Sequence, residues 1–144
     1  MVLYLIGSLR NPEIPKIGNY LRSLGIEVFD DWHSAGERAD DAFYEYEKQR
    51  NRRYKDSLKS FAARHIFNFD LTHLNRCDAA CLVLPAGKSG HLELGYVVGK
   101  GKRGFILLDG EPERIDQMHQ FAEEVFYNKE ELGEYLCEST SPAQ

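Results

Sequence analysis

The stretch AACLVLPAGKSGHLELGYVVGKGK, residues 79–102, decides the fold. It opens with the most continuous apolar run in the chain, which is typical of a strand buried at the centre of a parallel sheet. A short loop follows, and the pattern becomes helical near Gly90, so that His91 and Glu93 fall in the first helical turn. A helix dipole favours a carboxylate in that turn. The stretch therefore predicts a strand, a loop and a helix, with an ionisable acid at the carboxyl end of a central strand.

Strands and helices alternate along the rest of the chain. Strands are predicted at residues 2–6, 26–29, 79–84 and 104–108. Helices are predicted at residues 11–25, 39–63, 65–77, from Gly90 onward, and at 111–126 and 128–136. This alternation indicates an α/β fold with a doubly wound, mainly parallel sheet of the flavodoxin or Rossmann kind. We expect one domain over residues 1–137 and a flexible C-terminal tail over 138–144.

The composition of the chain argues against several classes of binding partner. The formal net charge of −5 argues against sequence-blind binding to nucleic acid, and no apolar run approaches the ~20 residues that span a bilayer. The three cysteines, an odd number, favour reduced thiols in a cytoplasmic protein. The C-x3-C pair at Cys77 and Cys81 has no matching Cys or His cluster, so we expect no zinc site and no other metal.

Ligands in doubly wound sheets bind outside the carboxyl ends of the strands, where the strand order reverses. The loops after the four predicted strands are therefore candidate site segments: GSLRN (7–11), DDWHS (30–34), PAGKSGHLE (85–93) and DGEPER (109–114). They hold these candidate substrate-binding residues: Gly7, Ser8, Arg10, Asp30, Trp32, Ser89 and Gly90. Glu93 closes the third segment, where chemistry is expected in this architecture.

Two familiar nucleotide motifs do not fit. GKS at residues 87–89 lacks the glycine that a phosphate-binding P-loop requires five residues before its Gly-Lys pair, because that position is Leu82. The glycines of residues 95–104 follow a helix instead of opening one, so they do not form a dinucleotide-binding fingerprint.

Three stretches carry a family resemblance: LYLIGSLRN (3–11), NFDLTHLNRCDAACLVLP (68–85) and SGHLELGYVVGKGK (89–102). In order and spacing they resemble the nucleoside 2-deoxyribosyltransferase family, whose superfamily includes deoxynucleotide and CMP N-glycosidases. The similarity covers most of the chain. It is strongest over 66–102 and weakest over 36–64.

The resemblance implies a role for several residues. Glu93 matches the glutamate that attacks the anomeric carbon, Asp70 the acid that assists the base, and Tyr4 the tyrosine that positions the nucleophile. Ser89 falls near a position that contacts the sugar. Met118, with Asp116 two residues before it, matches a segment that a neighbouring subunit lends to the 5′ end of the sugar.

The resemblance also implies substrates and an assembly. Deoxynucleosides and free nucleobases are the expected partners, without a cofactor, a nucleic-acid polymer or a membrane. A homo-oligomer with shared active sites is expected. Apolar residues of the C-terminal segments should supply part of its contact: Met118, Phe121, Val125, Phe126 and Leu132.

The chemistry of the residue types supports these roles. A carboxylate such as Glu93 captures an oxocarbenium-like anomeric centre as a covalent glycosyl-enzyme, and a second nucleophile releases it with net retention. A partly buried acid such as Asp70 protonates a departing base if its pKa is raised. Two carboxylates in different environments suit two different roles.

Each candidate also has a structural interpretation that the sequence leaves open. Asp70 fits the N-cap of a short helix, and Tyr4 fits core packing in a buried strand. Trp32 fits stacking on a base, or covering the edge of the core. Ser8 and Arg10 fit a 5′-phosphate site, but Arg10 fits an ion pair with a surface carboxylate equally well.

Three functions remain at this point. The leading hypothesis is transfer of the 2-deoxyribosyl group between nucleobases. The alternative is a hydrolase that removes the base from a nucleoside 5′-monophosphate, which Ser8 and Arg10 favour. A non-catalytic nucleotide-binding domain on the same fold is the third, and the joint presence of Glu93, Asp70 and Tyr4 argues against it.

Overall fold

A computed structural model describes residues 1–140 of the 144-residue chain. The strands are β1 Val2–Ile6, β2 Glu27–Phe29, β3 Ala79–Val83, β4 Arg103–Leu107 and β5 Glu124–Phe126. The α-helices are α1 Glu13–Ser23, α2 Ala39–Gln49, α3 Tyr54–Ser57, α4 Phe61–Arg76, α5 Lys88–Gly99 and α6 Lys129–Thr140. Two 3-10 helices, Asp31–Ala35 and Gln117–Phe121, precede α2 and β5. Among residues 1–140, no helix is long and apolar enough to cross a bilayer.

The five strands form one parallel sheet in the order β2-β1-β3-β4-β5. This is the flavodoxin-like order, in which the chain reverses its winding between β1 and β3. The doubly wound α/β fold predicted from the sequence is therefore confirmed, and the sheet is parallel throughout instead of mainly so.

Alternating side chains of the strands pack into two hydrophobic cores, one on each face of the sheet. On one face Leu3 and Leu5 of β1 pack with α1 and α6, in a core that includes Ile14, Leu21 and Leu132. On the other face Tyr4 and Ile6 pack with α4 and α5. The period-two alternation of a strand sends neighbouring residues to opposite faces, so the side chain of Tyr4 lies on the face of α4 and α5.

Two predicted helices are wrong. The helix predicted at 111–126 is instead a loop, a 3-10 helix and the strand β5, whose Phe126 is buried in the core. The long helix predicted at 39–63 is interrupted after Gln49, where Asn51 adopts a positive φ of 54°.

A buried carboxylate accounts for that interruption. Glu47 is only 4% exposed and accepts hydrogen bonds from Arg52 Nη1 at 3.3 Å and from Ser57 Oγ at 3.2 Å. The chain has to turn back after α2 to bring these donors to Glu47, because a buried charge without partners is strongly unfavourable.

The C-terminal helix is longer than its pattern predicted. α6 ends at Thr140 and so includes the first three residues of the predicted tail, while residues 141–144 lie outside the described part. The expected oligomer contacts also need correction in part. Phe126 and Leu132 lie in the core of this chain, whereas Met118 and Phe121 are exposed.

Candidate active site

Tyr4, Asp70 and Glu93 come together at the switch point of the sheet, although they lie on three different elements. Each influences the ionisation of another, and the Tyr4 hydroxyl donates a hydrogen bond to the Glu93 carboxylate. Tyr4 is 1% exposed, and its ring packs on Phe29 with a centroid separation of 5.1 Å. The ring of Tyr4 is therefore packed in the core, and its hydroxyl reaches the acid that the resemblance predicts it to position.

Glu93 lies in the second turn of α5. The helix begins at Lys88 and has Gly87 as its N-cap, so the prediction of a start near Gly90 with Glu93 in the first turn is wrong. The influence of the helix dipole falls off beyond the first turn. The ionisation of Glu93 is therefore set by its neighbours in space and not by the end of its own helix.

Close packing brings the start of α5 over the strands. A Cβ on Gly90 would lie 3.0 Å from Leu82 Cδ1 and 3.1 Å from Ile6 Cγ2. Glycine at this position therefore lets the first turn of α5 rest across β1 and β3, which places Glu93 one turn further, beside the strand that carries Tyr4.

Asp70 is held on the inner face of α4. Ser60 caps that helix, and its Oγ accepts a hydrogen bond from Ala63 N at 3.1 Å. Asp70 is thus in the middle of the helix, and its interpretation as an N-cap is wrong. One turn later, His73 stacks on Phe29 with ring centroids 3.9 Å apart, which fixes α4 beside the end of β2.

Burial and mutual repulsion set the charges of this site. Burial, and then the negative charge of Asp70, raise the pKa of Glu93 to about 7, against a lowering by the hydrogen bond from Tyr4. Burial and then the charge of Asp40 raise the pKa of Asp70. The pKa of Tyr4 is raised strongly, first by burial and then by Glu93, so its phenol stays protonated. The two acids therefore titrate as a coupled pair.

The loop after β1 follows the strand that carries Tyr4. A Cβ on Gly7 would lie 3.5 Å from the Val83 carbonyl oxygen at the end of β3. Ser8 Oγ accepts a hydrogen bond from Arg10 N at 3.1 Å, and the Arg10 guanidinium is paired with Asp41. The alternative in which Arg10 pairs with a surface carboxylate is the one that the structure contains.

Two candidate residues after β2, Trp32 and Asp30, make polar contacts within the protein. Trp32 is half-buried, and its Nε1 donates to the Leu5 carbonyl at 2.7 Å. Asp30 faces α1, where its carboxylate pairs with Arg22. Asp30 therefore lies on the α1 side of the sheet, opposite the face on which Tyr4 packs with α4 and α5, and its contact with substrate stays a prediction.

The segment of Asp116 and Met118 lies beside the start of α5. His119 stacks on His91 with a centroid separation of 5.9 Å. Asp116 Oδ1 accepts from Met118 N at 3.0 Å and so caps the 3-10 helix, while the Met118 side chain is exposed. Ser89 is also exposed, in the first turn of α5. Within residues 1–140, no group of three or more His, Cys, Asp or Glu side chains is arranged to hold a metal ion.

Sequence reasoning missed Asp40 and Asp41. Both lie in the first turn of α2, where acids are common because of the helix dipole. Nothing in their local pattern distinguishes a functional acid from an ordinary one. The signal that identifies them is spatial, namely the repulsion between Asp40 and Asp70 and the pairing of Asp41 with Arg10.

Comparison with known proteins places the fold. No protein-family model matches the chain, and no curated protein sequence matches it significantly. Among solved structures, the chain is similar to a 2-deoxyribosyltransferase from Bacillus psychrosaccharolyticus, with a TM-score of 0.65 and 22% identity over 94% of this chain and 92% of the other. It is also similar to the CMP N-glycosidase BcmB of Clostridium botulinum, with a TM-score of 0.56 and 14% identity over 94% and 98% of the two chains. The fold that the sequence resemblance implied is thus confirmed by neighbours from the same two groups of enzymes.

Proposed function

We propose that this protein transfers the 2-deoxyribosyl group of a nucleoside from one nucleobase to another, through a covalent intermediate on Glu93. The observation that carries the proposal is the convergence of Tyr4, Asp70 and Glu93, from β1, α4 and α5, on one point beside the sheet. An acid kept half-buried beside a second acid destabilises a fold, and such pairs are typical of catalytic sites.

In the first half-reaction the Glu93 carboxylate attacks C1′ of the deoxynucleoside while the bond from C1′ to the base breaks. Asp70 gives its proton to the base nitrogen that receives the bonding electron pair, and the neutral base leaves. In the second half-reaction a nitrogen of the incoming base attacks C1′ from the opposite side, and Glu93 leaves as a carboxylate. Asp70 takes the proton of the incoming base, so the site returns to its starting state with net retention at C1′.

The coupled titration of the two acids fits this division of labour. Cleavage requires Glu93 ionised and Asp70 protonated, which is one proton on the pair. The pKa of about 7 at Glu93 means that the pair still holds a proton near neutral pH. The hydrogen bond from Tyr4 stabilises the ionised form of Glu93, and so favours the reactive distribution of that proton.

A second candidate function is hydrolysis of nucleoside 5′-monophosphates. It is favoured by the presence of Arg10 and Ser8 in the loop that follows the strand of Tyr4, because a guanidinium and a hydroxyl suit a phosphate. One of the similar structures is a CMP N-glycosidase. This function shares the first half-reaction, and water then replaces the incoming base.

Product analysis separates the two functions. With one deoxynucleoside and a different free base, we expect the exchanged nucleoside to form faster than free deoxyribose. Chromatography of the reaction with and without the second base measures both products. Rapid release of deoxyribose 5-phosphate from a 5′-monophosphate, unaffected by added base, would establish the hydrolase instead. No cleavage of any nucleoside or nucleotide would leave the non-catalytic binding domain.

We further propose that the active form is a homo-oligomer. The first nine residues of α4 expose Phe61, Ile66, Phe67 and Phe69, with Phe61 91% exposed, although a 16-residue helix with so many large apolar side chains normally covers them. A second copy of the chain is a suitable partner, because the same helix carries Asp70 and the assembly then encloses the site.

Charged substitutions in this part of α4 test the assembly. We expect the double variant Phe61→Asp, Phe67→Asp to shift the protein toward monomer in sedimentation at micromolar concentration and to lose most of its activity. Tyr127→Ser, which changes an exposed aromatic residue after β5, serves as the control and should leave the assembly intact. A fully active wild-type monomer would contradict the proposal.

A further inference from the structure

An ion pair joins the loop after β1 to the start of α2. Arg10 Nη2 lies 3.0 Å from Asp41 Oδ2, and the two side chains are 69% and 54% exposed. The pair is therefore open to solvent, and Asp41 is next to Asp40, whose charge acts on Asp70 of the site, so a ligand there can compete for either partner. An exposed pair of this kind contributes little to stability, so its effect on charge matters more than its effect on folding.

Both ends of the loop are fixed, which holds Arg10 in place at the edge of the site. Asn11 O lies 2.9 Å from His33 Nε2, and Ser8 Oγ accepts from Arg10 N. The loop starts at Gly7, against the end of β3, and the first turn of α5 rests on Ile6 immediately before it. Arg10 is thus three residues from the point where β1, β3 and α5 meet.

We propose that Asp41 sets the specificity of the site for the 5′ substituent of the nucleoside, by neutralising the Arg10 guanidinium in favour of an uncharged 5′-hydroxyl. The inference rests on the proposed function, and it adds that the 5′ substituent lies against the loop over residues 7–11. A phosphate dianion at this position has to displace Asp41 from Arg10 and then remains next to a like charge. A hydroxyl meets neither penalty.

The expected size of the effect follows from Coulomb's law in a largely solvated setting. A single charge a few ångströms from a dianion changes its affinity by roughly fivefold to tenfold at low ionic strength. Salt screens exposed charges, so the effect should shrink above about 0.5 M salt.

Equilibrium binding of two C-nucleosides provides the test, because their carbon–carbon link to the base resists cleavage. The probes are 2′-deoxypseudouridine and its 5′-monophosphate, measured by calorimetry on the full chain. In Asp41→Asn we expect the ratio of the two dissociation constants to shift about fivefold or more toward the monophosphate. The shift should be clearly smaller in the background of Arg10→Gln, since no guanidinium is then released and only the like charge is removed.

Glu27→Gln is the matched control. Glu27 forms an exposed ion pair with Arg76 at 3.2 Å, but at the amino end of β2, the opposite edge of the sheet. That variant should leave the ratio within twofold of wild type. A ratio that moves equally in both variants, or that does not move in Asp41→Asn, overturns the assignment of Asp41. If the wild type binds neither probe and cleaves no nucleoside, the proposed function itself fails, and the inference fails with it.

Discussion

Replacing Glu93 by alanine should reduce the rate of base exchange at least a thousandfold. The carboxylate forms the bond to C1′ in the proposed mechanism, and removing a nucleophile leaves only binding and positioning to act. Glu93→Gln should be equally inactive, because the amide keeps the shape of the side chain without its charge. Steady-state rates with one deoxynucleoside and one foreign base measure the loss.

The covalent intermediate offers an independent measurement. Wild-type protein, quenched with acid during turnover, should carry one deoxyribosyl unit on the peptide that contains Glu93, and mass spectrometry should detect it there. Glu27→Gln removes a carboxylate at the opposite edge of the sheet and should keep both the activity and the adduct. An activity of Glu93→Ala within about tenfold of wild type would exclude Glu93 as the nucleophile.

Asp70→Asn should slow exchange by about a hundredfold or more, and it should also change the pH profile. Loss of a general acid typically reduces rates by two to four orders of magnitude. The reduction should be largest for bases that leave poorly without protonation, and smaller for bases that leave readily. Initial rates with a series of bases of graded leaving ability test this dependence.

The change in the pH profile has a definite sign. Cleavage requires one proton on the pair, so activity should fall as the pH rises through the pKa of about 7 at which Glu93, beside the charged Asp70, loses that proton. Asp70→Asn removes the acid that has to give the proton to the base, so this alkaline limb of kcat/KM should disappear. The Tyr4 hydrogen bond lowers the pKa of Glu93, so Tyr4→Phe should move the alkaline limb to higher pH. An alkaline limb that stays in Asp70→Asn, or that moves to lower pH in Tyr4→Phe, would contradict this arrangement of the three side chains.

The sequence was sufficient for the centre of the fold and insufficient for its periphery. β1 and β3 were predictable because a short apolar run bounded by Gly or Pro indicates a buried strand in a chain that alternates strands and helices. β5 was missed because three residues within the run FAEEVF carry too little periodicity to oppose a helical interpretation. The interruption after α2 was missed because no Gly or Pro marks it, and because its cause, the burial of Glu47 with Arg52 and Ser57, is a tertiary contact.

The candidate site was predictable where a motif carried it. Glu93, Asp70 and Tyr4 were found through resemblance to a family, since none of them has a local pattern that distinguishes it from a cap, a surface acid or a core residue. The start of α5 was placed too late because Gly87 offers no side-chain cap that would signal it. Asp40 and Asp41 could not be identified from the sequence because their partners are distant along the chain. Asp70 lies about 30 residues after Asp40, and Arg10 lies about 30 residues before Asp41.

The segment between Phe29 and Leu74 contributes no fully buried apolar side chain to the interior of the domain, and within it only Trp32 packs, partly buried, against the two cores. Between Phe29 and Leu74, a stretch that is described in full, the only buried side chains are those of Glu47 and Ser60. Residues 36–64 of this segment belong to neither core, so they can change with little effect on the packing of the sheet. A sheet of fixed architecture can in this way take a new segment beside its carboxyl edge without being rebuilt, and the sequence resemblance is weakest in this stretch, over residues 36–64.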